Sequence, residues 1–318
     1  MTCATRKDDH RLGLDLPEHT VRGPLFRSKR CHRPFFLFAG VILILVMVAA
    51  CSPRPRMEDL LAVEYAPLLR DDWRVSTPAE QGLDPMLVAE LYSNAVKLPR
   101  LYALLVVKNG YLIAESYFNE GAVGRKNRLK SATKSVTSAL VGIALDQGCL
   151  SSVDQKMMDF YPEFADQITD PRKKEITIRD MLQMRAGYPF EEPDPALFEA
   201  LWSGDYLSRI VEFPLTSDPG TRFQYSNLTT HWLGVIVARA CDTDLRSFGE
   251  EHLFSPLGME LGAWIQDKDG YYIGPWEMHF TARDLANFGV LYLNDGEHEG
   301  NQIVSADWVR DSLQRYSE

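Results

Sequence analysis

Ser131-Ala132-Thr133-Lys134 places a hydroxyl and an amine three residues apart, at a point where a helix is expected to begin. Residues i and i+3 share one helix face, with Cβ atoms about 5–6 Å apart, so the lysine amine can reach the serine oxygen. A hydroxyl beside an amine is the arrangement an activated nucleophile requires. Taken alone the pair has a plainer reading, in which Ser131 caps a helix and Lys134 is a solvated first-turn lysine.

Outward from this stretch the chain is helical on one side and stranded on the other. Val136, Ala139, Leu140, Ile143 and Ala144 recur at helical spacing, and Gly148 supplies a stop. Upstream, Asp84-Pro85 offers an N-cap and a first-turn proline for a helix reaching about Lys97. Two apolar runs, Tyr102–Lys108 and Tyr111–Phe118, flank Asn109-Gly110, which predicts a hairpin. The first run lacks alternation, so cover is expected on both its faces, giving a sheet sandwiched by helices. Downstream, Thr177–Asp180 and Thr281–Asp284 read as capping boxes. Helices are further expected near Leu197–Val211 and from Leu228 to Ala240. Ahead of both, the acidic loop Pro189–Pro195 places Glu191-Glu192 as a solvated charge pair.

The N-terminal 50 residues are set apart. A basic run (Arg27, Lys29, Arg30, Arg33) precedes an apolar block from Phe35 to Ala50, then Cys51. The block is short of the ~20 residues a membrane span needs and suits the core of an export signal. Val48-Ala49-Ala50-Cys51 is similar to a bacterial lipobox, which makes Cys51 a lipidation site; an uncleaved anchor helix is the other reading. The organisation expected is a signal peptide at 1–50, a tether at 51–74 and a folded domain at 75–318. The location expected is the cell envelope, lipid-anchored at the outer membrane and facing the periplasm. The chain carries a net charge of −10, and the leader is itself basic, so the remainder is more acidic still. That balance excludes nucleic acid as a partner sought by charge. Of the 5 cysteines, only Cys149 and Cys241 lie beyond Cys51; they are available to pair in an oxidising compartment. No Cys/His cluster has metal spacing, so neither metal nor cofactor is expected.

A second polar element is Tyr225-Ser226-Asn227. Tyr-x-Asn also occurs at Tyr92, Tyr117 and Tyr292, but these fall inside expected helices or at a strand end. Only Tyr225 lies between a turn, Pro219-Gly220, and a new helix, where a side chain can project into a cleft.

Ser131-Ala-Thr-Lys134, Met181-Leu-Gln-Met-Arg-Ala-Gly187, Tyr225-Ser-Asn227 and Phe280-Thr-Ala-Arg-Asp-Leu-Ala-Asn-Phe-Gly289 together resemble the beta-lactamase-related serine hydrolases. That group includes class C beta-lactamases, DD-peptidases and the 6-aminohexanoate-dimer hydrolases, and the resemblance runs from about Trp73 onward. It implies an α+β fold: an antiparallel sheet flanked by helices, plus a mostly helical subdomain. It also implies acyl transfer on small amides or esters, beta-lactams and cell-wall peptides among them. Ser131 would be the nucleophile, with Lys134 and Tyr225 sharing the proton transfers in an order left open. Asn227 would hold Lys134 or the substrate amide, and the Ser131 N–H would supply an oxyanion donor. Tyr188 and Trp276, with Trp202, are candidate pocket residues, and His279 is either a substrate neighbour or an ordinary histidine. The family's third motif, Lys-Thr-Gly or His-x-Gly on a late strand, is not found; Lys268-Asp269-Gly270 and His298-Glu299-Gly300 read as turns. The C-terminal strands are therefore expected to be missing, as in a truncated frame. A second class stays open beside the hydrolase: a non-catalytic remnant that binds a ligand or partner through the same cleft. Substrate identity and oligomeric state are not legible.

Overall fold

The computed structural model describes residues 55–316. The leader, its apolar block and Cys51 lie outside the described residues. No helix among the described residues is long and apolar enough to cross a membrane.

A short helix α1 (Met57–Leu61) precedes α2 (Pro85–Ala95), which Asp84 caps by accepting from the Met86 N–H at 2.8 Å. The hairpin follows as β1 (Ala103–Lys108) and β2 (Tyr111–Tyr117), antiparallel and joined at Asn109-Gly110. Both turn residues have φ > 0, at 52° and 76°, as a tight hairpin demands. The cover expected over the first strand belongs to the second. Leu112 to Glu115 of β2 are buried, whereas every residue of β1 is only half-buried. The reason is position: the outer edge of β2 is sealed by the segment before α2, through Glu115 N–H to Tyr65 O (2.8 Å) and Leu112 N–H to Arg74 O (2.9 Å). Much of the expected tether therefore lies along the sheet, because β2 has an edge whose amides need partners.

Next come β3 (Asn127–Arg128), a 3-10 turn at Lys130–Ala132, and α3 (Thr133–Asp146). The five apolar positions predicted for α3 are all buried. Helix α4 (Ile178–Leu182) starts at the Thr177/Asp180 capping box. The single helix expected near Leu197–Val211 is two, α5 (Pro195–Trp202) and α6 (Arg209–Glu212). Gly204, at φ 72°, lies in the break. Helix α7 (Asn227–Ala240) is buried all round from Asn227 to Ala238, as a central helix must be. Helix α8 (Leu245–Gly249), β4 (His279–Phe280), α9 (Ala282–Leu293) and the small hairpin β5 (Glu297–His298)–β6 (Asn301–Gln302) lead to α10 (Ala306–Ser312). Glu299 and Gly300 form the β5–β6 turn, both with φ > 0, and Gly270 has φ 87°, so both motif decoys are turns.

Two cores result. The larger packs α3 against α7, with Leu140, Ile143, Trp232 and Ile236 fully buried. Trp232 is fixed there through its indole N–H to Tyr206 O at 3.0 Å. The smaller lies where α2 meets the hairpin, around Val88, Tyr92 and Ala114. Cys149 and Cys241, which follow α3 and α7, are joined by a disulfide with a Cα separation of 5.0 Å.

Candidate active site

The turn that carries Ser131 is held from below by β3 pairing with β4, and by Leu129 N–H to Met278 O at 2.9 Å. Arg128 is paired with Glu277 at 2.6 Å. Lys130 then takes φ 53°, an unfavourable conformation for a side chain of its kind, and turns the chain sharply into the helix. Ser131 is left exposed just ahead of α3, and its side chain does not cap the helix. Instead its Oγ meets two groups: Tyr225 donates its phenol to Oγ at 2.8 Å, and Lys134 Nζ lies 3.3 Å away. The hydroxyl and amine of one stretch and the phenol of a distant one thus meet at one atom.

Lys134 is withdrawn from solvent along α3. Its amine donates to Asn227 Oδ1 at 2.8 Å and to Pro275 O at 3.1 Å. Both are carbonyl oxygens and accept only. Burial draws the amine down to about 8, although Glu192 and Glu191 push it back up. Tyr225 moves the other way: burial raises its phenol, the Ser131 hydrogen bond opposes this, and the two glutamates raise it further. Phe190 and Tyr225 pack in a T-shaped arrangement with ring centres 5.4 Å apart.

Pro275 can reach Lys134 because the preceding residue is glycine. A Cβ on Gly274 would stand 2.6 Å from Thr230 O on α7. The same approach lets Thr137 donate to Gly274 O at 2.7 Å. Further along this loop, Asp267 is anchored to the buried His231 at 2.8 Å. Neither Gly274 nor Pro275 carries a sequence signal, since they are recruited through close packing and a backbone carbonyl.

Asn227, buried at the first turn of α7, contacts the amine. Its Nδ2 faces away, donating to Glu192 Oε1 at 3.2 Å. Of the expected solvated charge pair, Glu192 is exposed, but Glu191 is 0 % exposed, which overturns that half of the expectation. Its carboxylate accepts from Ser226 Oγ at 2.6 Å and from the Asn227 and Leu228 N–H groups at 3.0 and 3.2 Å. The open N-terminus of α7 draws it in, because the first-turn N–H groups have no helical partners.

Tyr188 is not a pocket residue. It is 1 % exposed, its ring makes a T-shaped contact with Trp232 (centres 4.8 Å apart), and its hydroxyl donates to Ile210 O at 2.9 Å. The apolar surround of α7 absorbs it into the core. Trp276, next to Pro275, is half-buried, with ring centres 6.4 Å from Tyr206 and 6.5 Å from Trp202. Trp202 itself is 64 % exposed. His279 lies in β4 with Nδ1 against Ala263 O and Glu277 O, at 2.9 and 3.0 Å.

A family model described as Beta-lactamase matches residues 90–317. Among curated proteins, the chain is 29% identical over 261 residues to a 6-aminohexanoate-dimer hydrolase of Paenarthrobacter ureafaciens, covering 75% of this chain and 64% of that one. It is 27% identical over 254 residues to Beta-lactamase-like protein 2 of Dictyostelium discoideum, covering 68% of this chain and 46% of the relative. The chain thus spans between about half and two thirds of the length of these relatives. A solved structure of a penicillin-binding protein homolog from Caulobacter crescentus superposes with a TM-score of 0.58 at 16% identity, covering 78% of this chain and 76% of that one. At that identity the likeness establishes the fold.

Proposed function

The chain belongs to the beta-lactamase family of serine hydrolases, and from that premise we propose that it cleaves small amides or esters through an acyl-enzyme on Ser131. The observation that carries this reading is the set of contacts around the amine. A neutral amine has two N–H donors and one lone pair. Asn227 Oδ1 and Pro275 O take the donors, so the lone pair is left for the Ser131 hydroxyl, 3.3 Å away. Lys134, with its proton affinity lowered to about 8, is then the base; Tyr225, its phenol raised, stays protonated and serves as the acid.

In the first step Lys134 takes the Ser131 proton as Oγ bonds to the substrate carbonyl carbon. The tetrahedral oxyanion collapses, the carbon–leaving-group bond breaks, and the departing nitrogen or oxygen takes the Tyr225 proton. Lys134 then returns the proton it took to the Tyr225 phenolate, so both groups are reset before water enters. Water then attacks the ester at the same carbon, Lys134 takes its proton, and Ser131 Oγ leaves with that proton restored. The Ser131 N–H serves the oxyanion, a role worth about 2.7–4 kcal/mol for one donor. Trp276 forms the wall beside Pro275.

The bridge between Cys149 and Cys241 supports an oxidising compartment, in keeping with an exported protein anchored through Cys51. A fluorophosphonate or fluorescent penicillin is expected to label Ser131 covalently, with label abolished in Ser131→Ala and reduced in Lys134→Ala. Wild-type protein that stays unlabelled by both probes would refute the enzyme reading and favour a ligand-binding remnant.

A further inference from the structure

We propose that Glu191 and Glu192 are positioning residues for Lys134: by accepting from the side-chain N–H groups and backbone of Asn227, they lock its amide with the oxygen on the amine. The inference rests on the acyl-transfer reading for its consequence, although not for its geometry.

An asparagine amide is nearly symmetric in shape, so its environment must choose which end faces the lysine. Glu192 Oε1 accepts from Asn227 Nδ2 at 3.2 Å, and Glu191 Oε2 lies 3.5 Å from the same atom. A carboxylate only accepts, so Nδ2 must face the glutamates and Oδ1 must face Lys134. Glu191 also fixes the backbone beneath. It is fully buried and takes the Asn227 and Leu228 N–H groups with the Ser226 hydroxyl, so the first turn of α7 cannot rotate. Were the amide reversed, its NH₂ would oppose the amine donors. The lone pair would then lose its direction toward Ser131.

The two carboxylates act on the amine through one intervening amide, and this spacing sets its character. Direct contact would pair the lysine and hold it charged. With the amide between, the anions temper the burial that lowers its proton affinity. The titratable groups facing the amine are Tyr225 from the loop before α7 and Glu191 and Glu192 from the acidic loop. The loop beside it presents the Pro275 carbonyl, and the neighbouring Glu277 is engaged by Arg128.

Glu192→Gln keeps an acceptor for Nδ2 while removing the charge. Its test is the titration of Lys134 followed by NMR in lysine-labelled full chain, with Lys134→Arg assigning the signal. This readout needs no turnover. The Lys134 midpoint is expected to fall by about half a unit to one unit in Glu192→Gln. The acid limb of the pH–rate profile for Ser131 labelling should move down by the same amount. In Glu191→Gln/Glu192→Gln, where both side chains can also donate, the labelling rate at the plateau is expected to fall about tenfold with little change in probe affinity. A purely structural role would lower the melting temperature and leave the midpoint where it was. A Lys134 midpoint unmoved in Glu192→Gln overturns the proposal. A midpoint that moves in protein whose Ser131 never labels leaves the positioning standing and sinks the hydrolase reading instead.

Discussion

Arg283 and Lys134 are both cations withdrawn from solvent, and they keep different company. Arg283, 3 % exposed on α9, meets Glu115 of β2 directly, with Nε on one carboxylate oxygen at 2.8 Å and Nη2 on the other at 2.6 Å. Asp72 and the Leu68 carbonyl take the rest of the guanidinium. Burial pushes the Glu115 carboxyl up, but hydrogen bonds from Arg283, Tyr117 and the Leu68 N–H outweigh it and hold the group below its usual range. The cluster is locked in one charge state and ties the sheet to α9. Lys134 touches no carboxylate. Its neighbours are a hydroxyl and two carbonyls, its anions stand one amide away, and it remains free to trade a proton. The same fold makes a strut by letting opposite charges touch and, on the proposed acyl-transfer reading, a base by keeping them apart.

The largest expected effect breaks the strut. Arg283→Met strands Glu115 as a buried, unpaired anion and should cost about 3–5 kcal/mol in urea unfolding. Adding Glu115→Leu should recover much of that loss, because two apolar groups replace two charges. A single variant costing no more than an exposed ion pair would erase the contrast.

Lys134→Met probes the other cation, with the balance reversed. Acyl transfer to Ser131 should fall about 10²–10⁴-fold while the fold persists. The pH dependence follows from an amine whose folded value, about 8, lies below its ordinary 10.5. Labelling of the wild type should rise with pH through about 8, as the base loses its proton. Stability carries the same sign. Between about 8 and 10.5 the unfolded chain still binds the proton that the folded chain has released, so this group's contribution rises with pH across that window. Denaturant midpoints of wild type and Lys134→Met, compared from pH 7 upward, should converge or cross in that direction. A difference that shrinks the wild-type advantage as pH rises would contradict it.

The smallest expected effect concerns Tyr188. Tyr188→Phe removes one buried hydrogen bond, worth about 1 kcal/mol in a melting curve. Because the ring belongs to the core beneath α7, KM should not move. A change in KM with unchanged stability would return Tyr188 to the pocket.

Much of this was legible before any coordinates. The buried face of α3, the Asn109-Gly110 hairpin, and the caps at Asp84, Thr177 and Thr281 follow from period, turn chemistry and hydrogen bonding within a few residues. Ser131 and Lys134 belong to the same class, since one helical turn brings them together. Tyr225 was separable from its decoys because those sit inside α2, β2 and α9.

What the chain alone did not disclose were the partners that arrive from elsewhere. Glu191 looks solvated in a run of prolines and acids until the N-terminus of α7 captures it. Pro275 contributes a carbonyl, which every residue has, so nothing in its side chain announces the role. Tyr188 and β1 were misplaced for the same reason: burial depends on which surface closes over a residue. Local chemistry wrote the helices, the hairpin and the hydroxyl–amine pair into the sequence. Only tertiary packing decided which carbonyls face the amine and how far the anions stand from it, because those distances are set between residues far apart along the chain.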